Sequence, residues 1–530
     1  MKRRSLPAIM ILIFLVLCLG VPTFYYPLGR DQGNLAYSGS IILKGQVPHR
    51  DSWDQKPPGV AYLYALAFLL FGKSMEAVRA LDILYHLVAV LLLFELVKTL
   101  YHTSVAFWAG GLYSLSYFVQ NNYFNIAHVD GFLNLPLIAA AYLCYVGQGR
   151  RKKTLLFLAG FFCSLAFIIK YPSLLVVLGF ALYLLKSKPS RVASPSNHWD
   201  KFQSWLNAGF LMLGFILGLL LIALYLFQRG ALYPLVETQW VFNTGYTRLA
   251  LHEGFRAFLS TILVQLSRYV YYKAFFSVLA AAGLVYCFKY KTSENHLVRI
   301  WFFASLLGVV IQAKFYYYQW MGLLAPFSIL SALGLTEIFQ GFCLRGFYFK
   351  NEQRIFALAA LFILILPTLN SYQQMARTFI DLFKGTLSLE DYYARLDFLQ
   401  GDTSLRTTLA VVDYLQQRTN PEDTIYIWGS EPLIYFLADR ATPTRYTFNV
   451  PLVVSWGKAS WREELLHDLT RSRPRYILVA EKDGMLWTTG RSEDSKTLLE
   501  EFSELKTFLM KNYHEEGKIG HLTLYRANSP

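Results

Sequence analysis

Apolar residues along the chain gather into runs of roughly 17–25 residues, the length that crosses the hydrocarbon core of a bilayer. Candidate spans fall at about 9–22, 76–98, 104–120, 129–147, 154–170, 171–186, 205–228, 263–288, 299–314, 318–340 and 354–370. Hydropathy therefore predicts about eleven transmembrane helices. The first run follows Met1-Lys2-Arg3-Arg4, so a cleaved signal peptide is one reading. Val21-Pro22-Thr23-Phe24-Tyr25 lacks a small-x-small cleavage site, which favours a retained first helix with its N-terminus inside.

The loops carry the second half of this pattern. With the N-terminus inside, the inner loops hold Arg150, Arg151, Lys152 and Lys153; Lys186, Lys188, Arg191 and Lys201; Lys289, Lys291 and Arg299; and Arg345, Lys350 and Arg354. The short outer loops near 120–128, 170–171 and 314–318 are almost free of cations. A miscount of one helix would reverse this alternation. An odd count puts the C-terminal region outside.

From about residue 390 the pattern changes. Thr403–Arg418 and Ser495–Asn512 read as helices, and Asp423–Trp428, Arg475–Val479 and His521–Tyr525 as strands. Such alternation predicts a small α/β domain. The expected division is a membrane domain over 1–389, with a first outer loop at 29–75 and another at 229–262, and an extracytoplasmic α/β domain over 390–530. The one linker-like stretch, Ser187–Asn197, falls in an inner loop.

Composition agrees. Of 530 residues 55% are hydrophobic and 16% charged, below the roughly 25% charged of soluble domains. The net charge of +15 does not indicate a nucleic-acid partner, because much of the excess lies in the inner loops. The five cysteines form neither a disulfide framework nor a zinc-knuckle spacing.

Five polar groups collect at the expected outer face, and ionisable residues at membrane depth are costly unless they serve a purpose. They are Asp31 after the first helix; the stretch Pro48–Gly59, with Arg50, Asp51, Asp54 and Lys56; Asp130; Lys170; and Lys314–Trp320, with Tyr317 and Tyr318. Each alone has a plain explanation. Asp31 and Asp130 can cap helices, the lysines can snorkel to lipid phosphates, and the aromatics can form an interface belt. Together, two carboxylates and three lysines from five segments lie at one face, where independent caps would divide between both. Such a set suits transfer onto a hydroxyl beside a phosphate leaving group. A carboxylate accepts the hydroxyl proton, and lysines stabilise the charge that develops on phosphate.

The ordered set Arg30-Asp31-Gln32-Gly33, Gly45–Asp51 and Trp53-Asp54-Gln55-Lys56-Pro57-Pro58-Gly59 resembles bacterial members of glycosyltransferase family 39. It is also similar to their relatives, the protein O-mannosyltransferases and the aminoarabinose transferases. The resemblance covers about residues 1–340. It implies a GT-C membrane fold, a polyprenyl-phosphate sugar donor, an inverting displacement at the anomeric carbon and action at the outer face of a bacterial plasma membrane. By the same resemblance Asp31 is the general base and Asp130 the second acid of the site. Lys56, Lys170 and Lys314, with Tyr317, Tyr318 and Arg50, bind donor phosphate. The aminoarabinose enzymes carry a metal-binding Glu where this chain has Gln55. A divalent ion on Asp51 and Asp54 and a plain polar loop both stay open. The rival class is a membrane transporter or lipid flippase. The acceptor, a lipid, glycan or protein hydroxyl, is not legible, and neither is the sugar.

Overall fold

The apolar runs of the sequence are helical. A computed structural model describes residues 5–148, 152–186, 197–252, 254–343, 351–400 and 404–528. Arg150, Arg151, Lys188, Arg191, Arg345, Lys350, Thr403 and nearly all of the linker-like stretch lie outside the described residues. In chain order the main helices are α1 (Leu6–Gly20), α2 (Arg30–Leu43), α3 (Gly59–Phe71), α4 (Met75–Leu100), α5 (Thr103–Phe118), α6 (Asn134–Val146) and α7 (Lys153–Ile169). They continue with α8 (Leu174–Lys186), α9 (Asn197–Gln228), α10 (Phe255–Tyr272), α11 (Ala274–Lys289), α12 (Ser293–Val310), α13 (Leu324–Cys343) and α14 (Asn351–Phe383). The C-terminal region adds α15 (Leu405–Arg418), α16 (Leu433–Ala438), α17 (Ala459–Ser472), α18 (Ser495–Glu500) and α19 (Ser503–Asn512). Its strands are β1 (Ile425–Trp428), β2 (Tyr476–Ala480), β3 (Tyr513–Ile519) and β4 (Leu522–Ala527).

Among the described residues, five helical segments are long and apolar enough to cross a bilayer: Leu6–Thr23, Met75–Leu100, Val129–Val146, Lys201–Gln228 and Tyr317–Phe339. The run at 263–288 is not the straight span the hydropathy suggests. It breaks at Lys273, where α10 and α11 meet at 105°. The 154–186 region divides at Lys170 as expected, with a single 3-10 turn at Tyr171–Ser173 between α7 and α8.

The chain forms two compact units. The first comprises residues 1–25, 79–224 and 254–379, and the second residues 26–78, 225–253 and 380–530. In the first, α6 packs on α7, α8 on α12, α5 on α1 and α13, and α11 on α13. The last contact is backbone against backbone. A Cβ on Gly283 would lie 1.9 Å from the Leu330 carbonyl oxygen, and one on Gly334 1.9 Å from that of Leu279. Small residues at such crossings are how membrane helices gain close packing.

The second unit corrects one expectation. The stretch read as a long polar loop after the first span is largely helical, forming α2 and α3. Hydropathy misses α2 because polar residues interrupt its apolar ones: Gln32, Asn34, Ser38 and Ser40 are buried beside Leu35, Ala36, Tyr37 and Ile41. The 229–262 loop likewise contains helical segments at Leu232–Glu237 and Asn243–Leu251. The strands form one sheet in the order β1-β2-β4-β3. The β1–β2 pair is parallel and the other two are antiparallel. β3 escapes sequence reading because it is a charged edge strand, a common guard against edge pairing. The helix read at Ser495–Asn512 splits into α18 and α19, with Phe502 between them buried in the core. That core joins Trp428, Trp461, Ile477, Val479 and Leu509 with Trp53 and Phe242 from the two earlier segments.

Candidate active site

The candidate residues assemble into two clusters, one inside each unit. In the second unit, α2 starts the cluster. Gln32 reaches back to accept from the Gly29 N–H at 2.7 Å, and Asp31 in the first turn suits the positive end of the helix dipole. Asp31, Asn34 and Ser38 follow at helical spacing on one side of α2. Asp31 Oδ2 meets Lys56 Nζ at 3.1 Å; the carboxylate is 41% exposed and the lysine 8%. An open carboxylate is thus held by a buried ammonium.

The loop that delivers Lys56 is pinned throughout. Asp54 accepts from the Lys56 backbone N–H at 2.9 Å and from Asn34 Nδ2 at 3.0 Å. Asn34 Nδ2 also donates to the Trp53 carbonyl, and Asn34 Oδ1 accepts from Thr447 Oγ1 at 2.6 Å. The Trp53 N–H donates to the Arg445 carbonyl at 2.7 Å. Asn243 Nδ2 and Gln239 Nε2 both donate to the Gln55 carbonyl. Burial raises Asp54 above the ordinary carboxylate value, with Lys56 opposing the rise. Burial, reinforced by Arg445, pushes His49 down to about 3, so it stays neutral.

Arg50 and Asp51 make their contacts with one another. The guanidinium binds Asp51 at 2.9 and 2.7 Å and donates to the Arg229 carbonyl, while Asp51 also accepts from the Val47 N–H. The two carboxylates considered for a divalent ion therefore serve different partners. Among the described residues no trio of His, Cys, Asp or Glu is placed to share a metal, and Gln55 supplies no negative charge. The residues present do not fit the metal site of the aminoarabinose enzymes.

The first unit holds the other cluster. Asp130 opens the short helix Val129–Phe132 and binds Lys170 Nζ at 2.9 Å, both almost fully buried. Lys170 sits where α7 ends, lying 5.4 Å from the ring centre of Tyr318, which packs 3.8 Å from the His128 ring. Asp130, Lys170, Gln312 and Gln319 line a cleft of only 20 Å³, room for about one water. Lys170 is thus ion-paired with Asp130. Tyr317 donates to the Gln120 carbonyl at 3.3 Å. Lys314 lies in the loop before α13, flanked by Ala313 and Phe315 at φ 57° and 54°, a left-handed conformation uncommon for non-glycine residues. Burial pushes Lys314 down to about 8.

Two features of the first unit escape the sequence reading. One is a polar network around Tyr117 and Arg79. Arg79 donates to the Tyr123 and Ile126 carbonyls at 2.9 and 3.2 Å. Tyr117 donates to Asp82 at 2.6 Å and accepts from the Ala127 N–H at 2.9 Å, and the His86 ring stacks 3.6 Å from that of Tyr117. The other is Lys273, buried at the α10–α11 break. In both cases the signal was present: Arg79, Asp82, His86 and Lys273 are charged or polar residues inside apolar runs.

The comparisons with known proteins bear on the fold. The family model of dolichyl-phosphate-mannose-protein mannosyltransferase matches residues 55–217, less than a third of the chain. The crystal structure of ArnT from Cupriavidus metallidurans bound to undecaprenyl phosphate superposes with a TM-score of 0.58 at 12% identity, covering 98% of this chain and 99% of that one. The apo state of the same protein gives 0.55 at 11% identity, with the same coverage. No curated protein matches the chain in sequence. The fold is therefore that of ArnT, and with five described helical segments long and apolar enough to cross a bilayer the chain is a multi-pass membrane protein.

Proposed function

We propose that this chain, with its ArnT-like fold, is a GT-C inverting glycosyltransferase that moves a monosaccharide from a polyprenyl-phosphate carrier to an acceptor hydroxyl. The reading includes about eleven membrane crossings, a site at the outer face of a bacterial plasma membrane and a C-terminal α/β region on that side. The observation that carries it is the Asp31–Lys56 pair: an accessible carboxylate held 3.1 Å from a lysine that is itself buried and pinned.

The chemistry follows from that pair. When donor phosphate arrives, Lys56 turns its charge toward the phosphate, and the Asp31 carboxylate is released from it. The acceptor oxygen attacks the anomeric carbon as its proton passes to Asp31. The bond between that carbon and the phosphate oxygen breaks, and the electron pair leaves on the phosphate. Lys56 stabilises that charge. The Asp130–Lys170 pair acts by position, backing Tyr318 and the turn that carries Lys314. The mannosyltransferase family match and the ArnT-like fold support a lipid-phosphate donor.

The test supplies membranes containing wild type or Asp31→Asn with a panel of radiolabelled polyprenyl-phosphate sugars. Wild type should move label out of the lipid fraction, and folded Asp31→Asn should lose at least ~100-fold of that rate, the lower end of general-base effects. Equal transfer by both proteins would remove Asp31 as the base. Lipid movement without covalent transfer would replace the enzyme with a flippase.

A further inference from the structure

The first unit carries a groove that the transfer chemistry does not use. It lies between α8 and α12 and has a volume of 480 Å³, within the roughly 300–1,000 Å³ of small-molecule sites. Gly179 sets its floor: a Cβ there would lie 3.0 Å from Ile300 Cγ2 and 3.2 Å from Ala304 Cβ. The walls are apolar and open, with Leu178, Leu182, Phe303 and Leu307 each 42–51% exposed. Along α12 the lining runs from His296 to Leu307, about 16 Å at the helical rise. A slot of that length and character suits a hydrocarbon chain.

One end of the slot differs from the rest. Among the described residues its only polar lining side chains are His296 and Arg299, both on the first two turns of α12. The guanidinium lies 5.0 Å from the Phe288 ring centre. Its Nε donates to the Asn295 carbonyl at 3.3 Å, and Nη2 meets His296 Nδ1 at 3.5 Å, both longer than the usual hydrogen bond. No carboxylate pairs with Arg299 among the described residues. Glu294, the acid nearest in sequence, accepts from Tyr145 at 2.6 Å. Lys186, which ends α8, acts electrostatically on the same His296 ring as Arg299, and Lys289 and Lys291 lead into α12. An apolar slot that ends in cations without a counter-ion is the complement of an amphiphile with an anionic head. Basic pockets between spans bind such head groups, and the guanidinium fork matches phosphate oxygens.

This end lies away from the lysines considered for donor phosphate. Lys170 precedes the opposite end of α8, and Lys314 follows the opposite end of α12. Arg299 is about 16 Å along the helix axis from Val310, where α12 stops.

We propose that the α8–α12 groove holds one anionic phospholipid of the inner leaflet. Its acyl chain lies along Leu178 and Phe303, and its phosphate sits on Arg299 with His296 and Lys186 beside it. The basic loops at this end place it on the cytoplasmic side.

The experiment measures thermal unfolding of the delipidated full chain in detergent, titrated with phosphatidylglycerol, phosphatidylcholine of the same acyl chains, or undecaprenyl phosphate. Phosphatidylglycerol should raise the wild-type midpoint saturably, at about tenfold lower concentration than phosphatidylcholine, the worth of one charge-assisted contact. Arg299→Gln should erase that preference and Arg299→Lys should keep most of it. Lys291→Gln, outside the lining, should leave it unchanged. Leu178→Trp, which fills the slot without adding polarity, should weaken both phospholipids. Equal response of wild type to the two phospholipids, or a preference that survives in Arg299→Gln, overturns the site. If Arg299→Gln does not fold, Leu178→Trp decides, and an unchanged phosphatidylglycerol response in it overturns the site. A shift by undecaprenyl phosphate that is lost in both Arg299→Gln and Leu178→Trp overturns the phospholipid as occupant. A dimer in lipid-free detergent that Leu178→Trp breaks gives the groove to a second copy of the chain instead.

Discussion

Lys314 gives the residue scale its clearest test, because its charge and its environment pull in opposite directions. Burial lowers it from the usual 10.5 to about 8. Between those values the unfolded chain binds more protons than the folded one, so stability should rise as pH goes from about 8 to about 10.5. Anion binding should move the other way, since the ammonium that holds phosphate is lost above about 8. The KM for the lipid donor should therefore climb above pH 8 in wild type and stay flat in Lys314→Arg, whose guanidinium remains charged. Parallel profiles would show that Lys314 does not contact the phosphate. At this scale the sequence was informative wherever charge interrupts hydrophobicity. It pointed to Asp31, Lys56, Asp130 and Lys170, and the structure pairs Asp31 with Lys56 and Asp130 with Lys170. It did not reveal that Lys170 takes Asp130 as its partner or that Arg50 turns to Asp51. Those facts depend on which rotamer each side chain adopts after packing, and spacing carries no trace of that choice.

At the scale of elements, the glycine crossing of α11 and α13 makes a directional prediction. Gly283→Ala places a Cβ 1.9 Å from the Leu330 carbonyl oxygen, where only backbone movement relieves the clash, so a loss of about 1–3 kcal/mol is expected. Gly209→Ala in α9 meets nothing within 4 Å and should leave stability unchanged or raise it by up to ~1 kcal/mol, the helix-propensity gain. Thermal unfolding of both variants in detergent checks the pair, and a tolerated Gly283→Ala would mean the helices sit farther apart. The long helices were readable because a membrane span needs only uniform apolarity. α2 was not, since Gln32, Asn34 and Ser38 are buried among its apolar residues and look like loop residues until a polar partner covers them. The break at Lys273 was equally readable as a lysine in an apolar run, yet hydropathy averaging smoothed it away.

At the scale of the whole molecule, the second unit is assembled from three stretches far apart in the chain, and Trp53 ties them together. Its ring is fully buried, edge-on to Phe242 at 4.8 Å and to Phe448 at 5.3 Å. Its backbone links Asn34 on α2 to Arg445 near the sheet. The α/β character beyond residue 390 could be read from local alternation, but its recruitment of Trp53 and Phe242 could not. Contacts at separations of hundreds of residues leave no periodic signature. The consequence is that Lys56, three residues beyond Trp53, inherits its placement from the same core as the sheet. Trp53→Ala should cost about 3–5 kcal/mol, concentrated in this unit. Limited proteolysis should then cut both the 44–58 stretch and the 404–528 region, with loss of label transfer. Trp53→Phe, which keeps the aromatic contacts, should protect both regions and retain most transfer. If Trp53→Ala opens only the 44–58 stretch while 404–528 stays resistant, the α/β region holds its own core, and Lys56 is placed by α2 and Asp54 alone.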